Sequence, residues 1–219
     1  MKNVPPTGMT PPCAAMRAMP GLRVVRPADA NETAQAWKVA ITSDGPTALV
    51  LTRQNVPVLE GTAGAPVDRG AYVLVDPDGD DEADLVLIGT GSEVAVCIEA
   101  ATQLAASGVR TRVVSMPSWE LFATQQVSYQ DSVLPPQVPT LAVEAGASLG
   151  WDRWADDSVS LDRFGASAPG AVALRNLGFN PENVAERGRQ LIQELQEDLA
   201  PATDGAPPNP GSSESGEQR

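Results

Sequence analysis

The sequence predicts an α/β protein built around a mostly parallel sheet, and three observations predict it. Apolar runs of strand length alternate with segments of helical period between residues 84 and 115. Runs such as residues 47–52 (TALVLT) and 84–88 (DLVLI) are nearly continuous in apolar residues, the pattern of strands covered on both faces. Glycine turns stand between strand ends and helix starts, as at Gly89 and Gly91, which suits short crossover connections.

Taken in order, residues 1–19 are rich in Pro, Met and small side chains without a period, and they read as irregular chain. Residues 22–25 form a short strand that stops at Arg26-Pro27. Asp29 is a good amino-terminal cap, and Glu32 three residues on completes a capping box for a helix running through Trp37 to about residue 41. Asp44-Gly45-Pro46 is a turn, and residues 47–52 are the next strand. Residues 54–69, with Pro57, Gly61, Gly64 and Pro66, connect two units, and a domain boundary is expected near residue 64. The units are then residues 20–63 and residues 67–199.

In the second unit, residues 72–75 and 84–88 are strands. A helix over 93–106 follows, with Val94, Ile98, Ala101 and Ala105 on one face and Gly108 closing it. Residues 109–115 and 140–143 return as strands. Asn180 caps the last helix, Pro181 and Glu182 take its first turn, and Val184, Leu191, Ile192, Leu195 and Leu199 form its stripe. Residues 200–219 are rich in Pro, Gly, Ser and Glu and are expected to be disordered.

Composition narrows the chemistry. The chain has 219 residues and a formal net charge of −13. Such a surface repels phosphate backbones and anionic membranes, so neither nucleic acid nor membrane is expected as a partner. No apolar run approaches the roughly 20 residues of a membrane helix, and no secretory signal opens the chain. Cys13 and Cys97 have no paired or metal-type spacing, which suits a reducing, cytoplasmic setting. Histidine is absent. Serine–histidine hydrolysis, the usual zinc catalysis and imidazole proton shuttling are thereby excluded for this chain acting alone.

Candidate sites remain. Gly89-Thr90-Gly91-Ser92-Glu93-Val94 follows a strand and opens a helix, where backbone N–H groups can meet a phosphate. The third glycine of a dinucleotide fingerprint is replaced by Val94, which favours an unliganded turn. Residues 76–84 hold six carboxylates in nine positions. The glycine and glutamate that a calcium loop needs at its sixth and twelfth places are here Asp81 and Leu87, so a solvated acidic turn is expected. Arg53 stands directly after a strand, at its carboxyl end, where ligands of open α/β sheets gather. Its guanidinium suits a phosphate or carboxylate, or a structural ion pair. Trp119 and Trp151 suit aromatic interface contacts or, more simply, packing. Arg163 lies in a small-residue loop that holds an anion or only turns tightly.

Six stretches carry a resemblance. They are Arg26-Pro-Ala-Asp-Ala-Asn-Glu32, Gly45-Pro-Thr-Ala-Leu-Val-Leu-Thr-Arg-Gln-Asn55, Gly89-Thr-Gly-Ser-Glu-Val94, Val113-Val-Ser-Met-Pro-Ser-Trp-Glu-Leu-Phe122, Val143-Glu-Ala-Gly146 and Asp162-Arg-Phe-Gly-Ala-Ser-Ala-Pro169. Together, in this order, they resemble transketolases over residues 17–199. Related thiamine enzymes such as deoxyxylulose-phosphate synthase share the domain order, but the Leu-Thr-Arg-Gln-Asn and Asp-Arg-Phe-Gly-Ala-Ser-Ala-Pro stretches favour transketolase. The resemblance implies the end of a pyrimidine-binding domain followed by a three-layer, Rossmann-like C-terminal domain.

In that family thiamine diphosphate and magnesium serve transfer of a two-carbon ketol unit between sugar phosphates, in the pentose phosphate pathway. The resemblance gives Arg53 the contact to the substrate phosphate. The activating Glu and the metal ligands of the family lie upstream of everything present here, so no catalytic, cofactor-binding or metal residue is assigned. The family's Gly-Glu-Asp-Gly-Pro-Thr-His-Gln-Pro stretch is replaced by Thr7-Gly-Met-Thr-Pro-Pro-Cys-Ala-Ala15, which removes a histidine and an Asp. The chain is also shorter than the family pattern between Trp154 and Asp162, which counts against a strand before Asp162. The expectation is a fragment that binds no cofactor and is inactive alone. It is either one subunit of a split transketolase, meeting sugar phosphate only when completed by a cofactor-binding partner, or a non-catalytic interaction domain or gene remnant. A homodimer is a further possible assembly.

Overall fold

Leu85 to Gly89 are buried without exception, and their side chains alternate between two cores. That alternation follows from the two-residue period of a strand and marks the middle of a three-layer sandwich. The computed structural model describes residues 13–79, 82–163, 165 and 170–199. Along the chain come α1 (Cys13–Arg17), β1 (Arg23–Val25), α2 (Ala30–Thr42), β2 (Thr47–Leu49) and a 3₁₀ turn at Val67–Arg69. Then follow β3 (Tyr72–Val75), β4 (Leu85–Gly89), α3 (Glu93–Ala106), β5 (Thr111–Ser115), α4 (Trp119–Ala123), α5 (Val127–Val133) and β6 (Thr140–Val143). A second 3₁₀ turn (Trp151–Arg153), β7 (Asp157–Val159), α6 (Gly170–Asn176) and α7 (Pro181–Leu199) complete the described elements.

The larger sheet has strand order β3-β5-β4-β6-β7. Its pairings are parallel except β3 with β5, so the sheet is mostly parallel as expected. One face packs Leu85, Leu87, Val113 and Leu141 against Cys97 and Leu104 of α3 and Val184 and Leu191 of α7. The other packs Val86, Ile88, Val114 and Ala142 against Trp119, Phe122 and Val133 of α4 and α5, with Trp151.

Among the described residues the smaller sheet is β1 paired in parallel with β2. A third core of Val25, Ala36, Val39, Ala65, Val67 and Tyr72 joins it to the larger unit.

Four expectations are corrected. Residues 13–17 are helix α1 rather than irregular chain, held by the burial of Cys13 and by contacts of Arg17. Residues 1–12 and the tail 200–219 lie outside the described residues. The strand over 47–52 ends at Leu49, and its residues are half-buried rather than covered on both faces. Its pairing stops because Val50 N makes the last ladder bond to the Val25 carbonyl at 2.9 Å, and the next ladder donor on the β1 side would be Pro27, which has no N–H. A strand does precede Asp162: β7 pairs with β6 at the sheet edge. The buried stripe of α3 runs through Val94, Cys97, Ala101 and Leu104, while Ile98 is half-buried and Ala105 exposed.

Candidate functional site

Chain polarity places the carboxyl ends of β4 and β6 on one side of the larger sheet, where open α/β sheets gather ligands. In this protein that crevice is filled from within. Arg26 leaves β1 and enters it, donating from Nη1 to the Thr90 carbonyl at 2.8 Å, to Thr90 Oγ1 and to Glu93 Oε2. Its main chain is fixed as well, since Arg26 N donates to the Pro117 carbonyl at 2.8 Å. Arg26 thus occupies the Gly89–Val94 turn, its carbonyl accepting from Gly91 N at 3.1 Å, and Glu93 turns inward from the first turn of α3. The Glu93 carboxylate also accepts from Ala145 N at 3.1 Å and Ser92 Oγ at 2.6 Å.

Glu144, at the end of β6, carries a second guanidinium. Arg17 Nη1 donates to Glu144 Oε2 at 2.9 Å and to Oε1 at 3.2 Å. The Arg17 guanidinium also lies 3.7 Å from the centroid of the Trp119 ring, a cation–π stack. Two arginines and two glutamates thus meet in a buried, charge-balanced group, as buried ions must. Burial disfavours the charged form of Arg26, but Glu93 and Glu144 more than offset this and raise its pKa. Burial and the neighbouring Glu144 push the Cys13 thiol up to about 11, so it is a poor nucleophile at neutral pH.

A second polar contact lies beside the first. Glu32 of α2 is fully buried, and its Oε1 accepts from Tyr72 Oη and Ser115 Oγ, both at 2.6 Å. Those two donors sit on β3 and β5 as register partners. Its Oε2 accepts from Ala28 N at 2.7 Å. Asp29 caps α2 as expected, accepting from Glu32 N at 2.9 Å, but Glu32 spends its own carboxylate on the larger unit and on Ala28 instead of closing a capping box. Burial raises the Glu32 pKa, against the pull of the three donors.

Arg53 lies on a bend, exposed, four residues past the end of β2 rather than directly after it. Among the described residues it makes no hydrogen bond or ion pair. Its neighbour Gln54 lies beside the start of α6, where a Cβ on Gly170 would come within 2.7 Å of Gln54 Oε1. The acidic turn is tied into the sheet: Asp76 holds Arg112 at 2.7 and 2.9 Å, and Asp84 holds Arg110 at 2.9 Å. Residues 80 and 81 lie outside the described residues. Trp119 and Trp151 pack edge to face at 4.6 Å in the core, so packing is their role here. Arg163 is exposed, and most of its loop lies outside the described residues.

Arg17, Arg26, Glu32, Glu93 and Glu144 were not singled out as site residues by sequence reasoning. Their only signal was that Arg26, Glu32, Glu93 and Glu144 fall within stretches carrying the resemblance, and Arg17 opens its span.

Comparison with known proteins agrees with this architecture. The family model described as "Transketolase-like TK C-terminal domain" matches residues 70–180, and "Transketolase, pyrimidine binding domain" matches residues 10–58. A transketolase of Nostoc sp. is 50% identical over 186 residues, covering 82% of this chain and 28% of the relative. The solved transketolase of Leishmania mexicana superposes with a TM-score of 0.81 at 41% identity, covering 88% of this chain and 28% of that one. A solved chain described as a split gene transketolase, in an inactive beta4 tetramer, shares the fold with a TM-score of 0.69 at 22% identity, covering 82% and 61% of the two chains. The chain spans about 28% of the length of the curated relatives it matches.

Proposed function

The chain belongs to the transketolase family, and from that premise we propose that it supplies the carboxy-terminal share of a ketol-transferring enzyme and is inactive alone. The observation that carries the proposal is the pairing of coverage with chemistry. The chain matches about 28% of its relatives' length, and it contains no histidine. Among the described residues no group of three His, Cys, Asp or Glu side chains is suited to a metal ion. They do not fit magnesium, and no step through thiamine diphosphate is assigned to them. Residues outside this chain hold the cofactor and its metal in this reading. The division near residue 64 then separates the end of the pyrimidine-binding domain from the C-terminal domain.

Arg53 is the residue this chain offers to substrate. It is exposed, and it has no competing ion pair among the described residues, so its guanidinium is available to grip a sugar phosphate through two N–H···O bonds. Two buried, free cysteines support a reducing, cytoplasmic setting. No described helix is long and apolar enough to cross a membrane.

The test measures ketol transfer from a ketose phosphate to an aldose phosphate, with thiamine diphosphate and magnesium. The chain alone transfers nothing and shows no saturable heat of thiamine diphosphate binding. Mixed with a transketolase polypeptide that carries the cofactor-binding domains, it restores turnover. In that mixture Arg53→Gln raises the KM for sugar phosphates by about 10–100-fold, the scale of a charged hydrogen-bond pair. Turnover by the unaccompanied chain overturns the proposal.

A second reading is a non-catalytic interaction domain. Trp37 and Ile41 favour it, being 52% and 78% exposed and one helical turn apart on α2. A folded chain that binds the cofactor-bearing polypeptide without restoring turnover supports this reading.

A further inference from the structure

The Gly89–Val94 turn looks like an anion site by position and is lined for the opposite charge. A strand-to-helix turn ordinarily offers N–H groups and the positive end of a helix dipole. Here Glu93 occupies the first turn of α3 with a buried carboxylate, and Glu144 stands beside it at the end of β6. Thr90 adds a carbonyl and a hydroxyl oxygen. Arg26 Nη1 donates to three oxygens here: the Thr90 carbonyl, Thr90 Oγ1 and Glu93 Oε2. The turn also has no side chain where the occupant lies. A Cβ on Gly91 would come within 2.9 Å of Arg26 Cζ, at a residue whose φ is +55°.

We propose that the crevice above the carboxyl ends of β4 and β6 is a guanidinium-binding site, and that Arg26 is its built-in ligand. Occupancy fastens the segment from β1 to α2 onto the larger unit, because Arg26 and Glu32 are delivered to it from the same short stretch. All three donations come from Nη1, so the crevice recognises a charged N–H donor, and once its own side chain is removed it accepts a free guanidinium compound. This assignment is independent of whether the chain takes part in ketol transfer.

The test uses the full chain. Arg26→Ala strips the ligand and leaves Glu93 buried without its partner, so the melting temperature falls by roughly 10 °C. Millimolar methylguanidinium restores a large part of that fall in Arg26→Ala but raises neither the wild type nor Arg26→Ala/Glu93→Gln. Urea, which has the planar shape without the charge, restores nothing at the same concentration. A folded Arg26→Ala protein that ignores methylguanidinium overturns the proposal, as does equal rescue by urea or rescue that survives loss of the Glu93 charge. Should Arg26→Ala not fold, the wild type decides. Its Arg26 side-chain N–H groups give slowly exchanging, rotationally restricted NMR signals, and freely averaging signals refute the assignment.

Discussion

Two sheets in one chain follow the same strand grammar with different outcomes. In the larger sheet β4 is buried at all five positions and flanked by neighbours on both edges and layers on both faces. In the smaller sheet β2 has three half-buried residues and, among the described residues, one neighbour. The runs DLVLI and TALVLT look alike as text. The difference teaches that an apolar run states a capacity for burial, while the number of neighbouring elements decides how much is realised. The smaller sheet therefore depends on the larger unit, through a shared apolar core and the Arg26 and Glu32 contacts.

The most damaging change strikes inside the larger unit. Gly70 has φ +84°, and an added Cβ would lie 2.1 Å from Phe122 N and 2.4 Å from the Ser118 carbonyl. Both are main-chain atoms that cannot swing aside. Gly70→Ala is expected to cost about 4 kcal/mol or to abolish folding, read by urea titration or by loss of soluble protein.

A paired comparison of core truncations comes next. Leu87→Ala, in the middle of β4, is expected to cost about 3 kcal/mol, and Leu49→Ala in β2 about 1 kcal/mol, in the same titration. Equal costs would show that the smaller sheet is as firmly packed as the larger.

The pH dependence of the junction is a finer probe. Glu32 has its pKa raised by burial, so the folded protein holds that proton more tightly than the unfolded chain does. Its contribution is fully present below the unfolded value of about 4.5 and is lost as pH rises through the folded value. Stability measured upward from there should decline through this group, and Glu32→Gln should flatten the slope.

The smallest effect belongs to the sheet edge. Arg187 of α7 holds Asp157 of β7, both partly exposed. Asp157→Asn is expected to cost about 0.5 kcal/mol, and less at high salt.

The strongest sequence signals lay where period and cap agreed. The helix Glu93–Ala106, the strand Thr140–Val143 and the helix opened by Asn180 and Pro181 stand where patterning puts them. The face of α3 was misjudged because Glu93, a charged residue, points inward to meet Arg26. The strand before Asp162 stood in doubt because the chain runs short there and Asp157-Ser158-Val159 has no apolar run; β7 exists by pairing with β6. α1 is one turn and a half held by tertiary contacts, which propensity cannot reveal. The buried charges were illegible for a simpler reason. Arg26 and Glu93 are 67 residues apart, and Arg17 and Glu144 are 127 apart, and no local pattern links such pairs.

The stack of Arg17 on Trp119, with Trp151 at its edge, gives the chain an optical gauge of its own. Indole emission responds to a charge held against the ring and to the entry of solvent. Detachment of α1 would change the colour and yield of that emission while the rest of the sandwich stayed intact. Departure of the amino-terminal arm and collapse of the whole molecule can thus be timed separately in a single stopped-flow trace, without any attached dye.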